Sequence, residues 1–95
     1  MNLEEIIKST EAVDLSSIYI YKDDKCVWDY KGGLNTIQLI SDEPCIEDEK
    51  VSLQELLDFA NDLEVPINIL NLECEDERKQ FSSYLWLENK LILSF

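Results

Sequence analysis

The sequence predicts a small α+β domain, mainly antiparallel sheet with one or two helices packed on one face. Three observations carry that expectation. Residues 18–21 alternate isoleucine with tyrosine at period two, the signature of a strand with one buried face. Leu53, Leu56, Leu57, Ala60 and Leu63 recur at helical spacing. The chain has 95 residues, 45% of them hydrophobic, with only two glycines and two prolines. That composition suits one ordered domain over residues 1–95 and leaves no room for long flexible linkers.

Each element has its own local reason. Asn2 can cap a first helix, with Glu5 three residues later, and Leu3, Ile6 and Ile7 share its apolar face. That helix fades near Ser9 and Thr10, and a connector with Asp14, Ser16 and Ser17 follows. In the strand at 18–21 the isoleucines face the core and Tyr19 and Tyr21 the other side. Asp23 and Asp24 form a turn. Residues 26–30 form a second strand with Cys26, Trp28 and Tyr30 on one face. Lys31, Gly32 and Gly33 form a second turn, where glycine can supply positive φ. Residues 34–40 make a third strand with Ile37 and Leu39 on one face, so 17–40 reads as a three-stranded meander.

A long loop occupies 41–50. Ser52 then caps the second helix, with Glu55 three residues on, and the helix stops before Pro66. Residues 67–72 read as a fourth strand, and 76–82 as a short helical turn. The end of the chain reads as a hairpin, 84–87 with 91–95 and Asn89 in the turn. The competing reading is one helix over 76–89 followed by a strand.

Charge is the strongest compositional signal. Twenty-one acidic residues face eight basic ones, a net charge of −13. Folding does not require this, since self-repulsion destabilises the compact state. Direct binding to nucleic acid or to an anionic membrane is disfavoured, because both need neutralising Lys and Arg. A basic protein partner is favoured, because an acidic surface speeds and orients its approach. Apolar runs are far shorter than the roughly 20 residues of a spanning helix. The N-terminus reads Met1, Asn2, Leu3, Glu4, Glu5, without the positive charge of a secretory signal. The expected location is therefore cytoplasmic. Cys26, Cys45 and Cys74 lack any Cys-x-x-Cys spacing and read as three reduced thiols.

Catalytic chemistry is sparse. The absence of histidine removes Ser-His-Asp and Cys-His catalysis and histidine zinc sites. No glycine-rich phosphate loop occurs. Carboxylate pairs alone could serve a glycosidase, but 95 residues leave little room for a substrate cleft. The acidic loop lacks the spacing and the glycine of a calcium-binding EF-hand. No enzyme activity, cofactor or metal is expected.

Two acidic clusters lie in connectors, where binding residues often sit. One holds Asp42, Glu43, Glu47, Asp48 and Glu49, the other Glu73, Glu75, Asp76 and Glu77. Asp58, Asp62 and Glu64 extend the charge along the exposed side of the second helix. Tyr19 and Tyr21 add contact area at low entropic cost if their face is open. Trp28 and Trp86, with apolar neighbours, are expected in the core.

In size, acidity, lack of catalytic residues and α+β pattern the chain resembles the immunity proteins of bacterial toxin–immunity pairs. That resemblance implies an inhibitor that occludes the basic active site of a toxin such as a nuclease. The alternatives are a nucleic-acid mimic from a phage or mobile element, which would need a long regular array of acids, and a plain interaction module. Exposed strand edges allow a monomer or a weak dimer.

Overall fold

Both expected helices form, and both begin at a capping side chain. The computed structural model describes residues 1–10, 14–42 and 49–95. Asn2 Oδ1 accepts a hydrogen bond from the Glu5 amide at 2.9 Å and opens α1 (Leu3–Ser9). The next orphan amides of this helix find partners across the fold: Leu3 N donates to Leu70 O at 2.9 Å and Glu4 N to Ile67 O at 3.2 Å. Ser52 Oγ accepts from the Glu55 amide at 3.2 Å and opens α2 (Leu53–Leu63), which buries Leu53, Leu56 and Ala60. Glu64 caps its C-terminus in the left-handed region at φ 57°.

Among the described residues eight strands build two four-stranded sheets. The first holds β1 (Tyr19–Lys22), β2 (Lys25–Cys26), β7 (Ser83–Leu87) and β8 (Lys90–Ser94) in the order β2-β1-β8-β7. The second holds β3 (Asp29–Gly33), β4 (Thr36–Ile40), β5 (Asn71–Cys74) and β6 (Lys79–Gln80) in the order β3-β4-β5-β6. Each sheet is two antiparallel hairpins joined by one central parallel pair, β1 with β8 and β4 with β5. Ile20, Leu91 and Leu93 from the first sheet meet Ile37, Leu39, Leu72 and Cys74 from the second. With Leu3, Ile6, Leu53, Leu56 and Ala60 of the helices they form one core. Burial of these side chains supplies the main stabilising term against both chain entropy and like-charge repulsion.

The chain changes sheets at two corners, each one residue wide. Val27 N donates to Ile20 O of the first sheet at 2.9 Å, and Trp28 N donates to Ile40 O of the second at 3.0 Å. On the return, Phe81 N donates to Leu72 O at 3.1 Å and Ser82 N to Ser94 O at 3.0 Å. Asp29 is also opposite Ile40, and Ser83 opposite Ser94, so two residues face one at each corner. Such bulges bend a strand and end its alternation. Val27 and Phe81 fill the corners and are fully buried.

The α+β class and the predominance of antiparallel pairing are as expected. The three-stranded meander is not: β1 and β2 belong to the first sheet and β3 and β4 to the second, because the corner at Val27 divides the 26–30 segment. Nor do Gly32 and Gly33 make a turn. Neither has positive φ, and the left-handed residue of that hairpin is Asn35 at φ 56°. Gly32 serves close packing instead, since a Cβ there would lie 3.0 Å from Leu63 Cδ2 and 3.4 Å from Phe59 Cζ. The strand expected at 67–72 starts later, at Asn71, after a turn in which Ile69 N donates to Pro66 O at 3.1 Å. Residues 75–78 are a turn between β5 and β6, not helical, and the terminal hairpin forms as expected. Cys26 is disulfide-bonded, which corrects the expectation of three reduced thiols; Cys74 is free and buried. Sequence spacing carries no information about which sulfurs meet in space.

Leu56→Ala should lower unfolding free energy by about 2–5 kcal/mol, read from urea denaturation, because it opens a cavity in the shared core. Glu64→Gly should raise it by up to about 1 kcal/mol in the same assay, by relieving a left-handed non-glycine residue.

Candidate functional site

An open groove of about 400 Å³ lies where the chain leaves the first corner. Trp28, Asp29, Tyr30, Glu49, Lys50, Val51 and Glu55 line it. The corner sets its geometry. The bulge turns Trp28 outward, so it is half-buried, while Val27 fills the core behind it. Tyr30 packs on Phe59 of α2 with ring centroids 4.8 Å apart. The first turn of α2 contributes Glu55, and the chain entering that helix contributes Glu49 and Val51.

Electrostatics there are dominated by carboxylates. Asp29, Glu49 and Glu55 are all exposed. The Tyr30 hydroxyl has its pKa raised by partial burial first, then by a hydrogen bond with Glu55 and the charges of Glu55, Asp29 and Asp58. Each of these makes a further negative charge at Tyr30 costly. Trp28 Nε1 donates to Asp42 Oδ1 at 3.2 Å, which ties the groove to a second acidic area. The Lys50 ammonium lies 5.8 and 5.7 Å from the ring centroids of Tyr19 and Tyr21.

That second area is the turn between β5 and β6. Asp76 has its pKa raised by desolvation first, then by the charges of Asp42 and Glu75. The field of Asp42 at Asp76 means that these members of the two sequence clusters are neighbours in space. Two of the acids here have basic partners. Glu75 Oε1 accepts from Lys31 Nζ at 3.0 Å, which lowers its pKa, and Glu77 Oε1 accepts from Lys22 Nζ at 3.0 Å. Glu73 is half-buried, 3.5 Å from Gln38 Nε2. Asp58 and Asp62 are exposed on α2, and Asp58 accepts from Gln54 Nε2 at 3.1 Å. Glu43, Glu47 and Asp48 lie outside the described residues.

No family model, curated protein or solved structure matches this chain.

Several expected residues fall elsewhere than the sequence suggested. Tyr19 and Tyr21 do turn away from Ile20, but Tyr21 is only 9% exposed. Lysines, not acids, cover them: Lys90 joins Lys50, 5.0 Å from the Tyr21 ring. Trp86 packs against the core as expected, with its Nε1 donating to Ser9 Oγ at 3.1 Å. Trp28 does not, because the bulge ends the alternation that placed it on a buried strand face. Asp29, Tyr30 and Glu55 were not singled out as binding residues. Glu55 read as a helix cap and Asp29 as a strand residue, and only the fold brings them together. Among the described residues no group of three His, Cys, Asp or Glu is placed to hold a metal ion, and no helix is long and apolar enough to cross a membrane.

The raised pKa of Asp76 gives a pH prediction. A carboxyl raised in the folded state contributes stability when protonated and loses it as pH rises through the folded pKa. Asp76→Asn should therefore raise the melting temperature at pH 7, and the gain should shrink as pH falls through the carboxyl titration. Thermal unfolding followed by circular dichroism across pH 3 to 7 measures it.

Proposed function

We propose that this protein is an inhibitor that acts by binding, an immunity protein that covers the basic active site of a toxin such as a nuclease. The observation that carries the reading is the groove beside the first corner, where Asp29, Glu49 and Glu55 surround Trp28 and Tyr30. Carboxylates at its rim attract Arg and Lys, and the aromatic faces suit a guanidinium laid flat on them. A net charge of −13 gives this attraction reach. The partner's cationic groups would be occupied and its nucleic-acid path blocked. This protein would need no catalytic group, cofactor or metal.

A mimic of nucleic acid fits less well. It needs a long array of acids on an elongated body, whereas the principal extents here are 31 × 29 × 23 Å. Cytoplasmic residence belongs to the same proposal, and the disulfide at Cys26 weighs against it, since cytosolic reductants keep thiols reduced. Acid quenching of cells followed by alkylation of the denatured protein, read by mass spectrometry, tests it: all three cysteines modified means a reduced cytoplasmic protein.

The central test is capture from lysate of the source organism with tagged protein at low and high salt. A basic protein should be retained at low salt and released at high salt, and its enzymatic activity should fall when this protein is added. The doubly reversed variant Glu49→Lys, Glu55→Lys should slow association about tenfold or more at low salt and keep its fold. A partner bound equally well by wild type and variant would contradict the placement of the site.

A further inference from the structure

We propose that β7 is a self-complementary edge through which two copies of this chain pair, antiparallel and about a two-fold axis, independently of the acidic groove. The contrast among the four sheet edges points to it. β2 and β6 are two residues long, and each begins with a lysine, Lys25 and Lys79. β3 is five residues long but carries Asp29 and Lys31. Short length and charge are the usual protections of an open edge. β7 has neither: Ser83, Tyr84, Leu85, Trp86 and Leu87 form a five-residue strand without a charge. It ends the first sheet, and among the described residues nothing pairs with its outer side. Leu85 is 58% exposed, Leu87 51% and Tyr84 39%.

The register specifies the occupant. A two-residue turn joins β7 to β8, with Leu87 opposite Lys90. That closing pair is hydrogen-bonded in such a hairpin, so the alternate residues Tyr84 and Trp86 direct their N–H and C=O groups to the open side. Pairing a second β7 centred on Leu85 sets Tyr84 against the other copy's Trp86, twice, with both backbones donating and accepting. It also sets Leu85 against its own equivalent and Ser83 against Leu87. Aromatic cross-strand pairs of this kind stabilise a sheet, and Tyr84 and Trp86 already meet edge to face at 6.4 Å within one chain. Glu88 then faces Ser82, so no like charges oppose each other along the strand. The partner of a chain carrying −13 is usually expected to be basic; this neutral edge is where a second acidic copy meets least local repulsion.

Sedimentation velocity on the full chain tests the proposal. The dimer fraction should rise with protein concentration over about 1 µM to 1 mM by mass action. It should also rise with added salt, which screens the repulsion between two acidic chains. This is the opposite salt dependence to the inhibitory complex, so the two readings fail separately. Leu85→Lys should weaken dimerisation about tenfold or more while leaving the monomer's melting temperature near wild type, because two lysines would face each other across the axis. Mixing Leu85→Lys with Leu85→Glu chains should restore a dimer. A monomer at every concentration and salt overturns the proposal and leaves β7 to a strand from another protein. So does a dimer indifferent to Leu85→Lys, or one that mixing the two variants does not restore.

Discussion

The fold rests on two corners where the chain steps from one sheet into the other within a single residue. At each corner a fully buried side chain, Val27 or Phe81, fills the space between the sheets. The amide after it is already bonded into the second ladder. A bulge makes the step possible, because two residues opposite one allow the strand to bend without losing its hydrogen bonds. Everything else follows from that arrangement. Each sheet receives one hairpin from each half of the chain, and the parallel pairs β1–β8 and β4–β5 lock the halves together. Supports at the second corner are aromatic: Phe81 stacks on Phe95 at 5.3 Å, and Lys22 and Lys79 lie over the Phe95 ring.

The same geometry separates two kinds of surface. Where the chain leaves the first corner, Trp28 is turned out of the core and Asp29 starts a new strand beside the first turn of α2. Acids that are remote in sequence gather around two aromatic rings. The far edge of the first sheet is the opposite: β7 carries no charge and, among the described residues, has no strand paired to its outer side. A molecule carrying −13 must hold its acids apart by spreading them or by pairing them. Lys22 and Lys31 pair with Glu77 and Glu75, leaving Asp76 with a carboxyl that ionises reluctantly. The groove acids Asp29, Glu49 and Glu55 are exposed and line an open surface.

Local signals in the sequence were enough for the helices, their caps, the terminal hairpin and the α+β class. Asn2 with Glu5 and Ser52 with Glu55 cap as their spacing suggests, because capping depends only on residues within one turn. The meander was illegible because Val27 looks like any strand residue; that it ends one ladder depends on Ile20 and Ile40. Gly32 misled for a related reason, since glycine marks both tight turns and close packing, and only the position of α2 tells them apart. The parallel pairs join residues up to 71 positions apart, Tyr19 with Lys90 among them, and no local pattern encodes them. The acidic clusters were legible as composition. Their meeting at Asp42 and Asp76, and the groove around Tyr30, were not, because they arise from tertiary packing alone.

The functional account turns on which surface a basic partner covers. The most direct measurement is an amide and indole chemical-shift footprint of the isotopically labelled protein on adding the captured basic partner. The account predicts that the Trp28 indole and the amides of Asp29, Tyr30, Glu49 and Glu55 shift most, with β7 unaffected. A footprint centred on β7 or on α1, with the Trp28 indole unmoved, would contradict it.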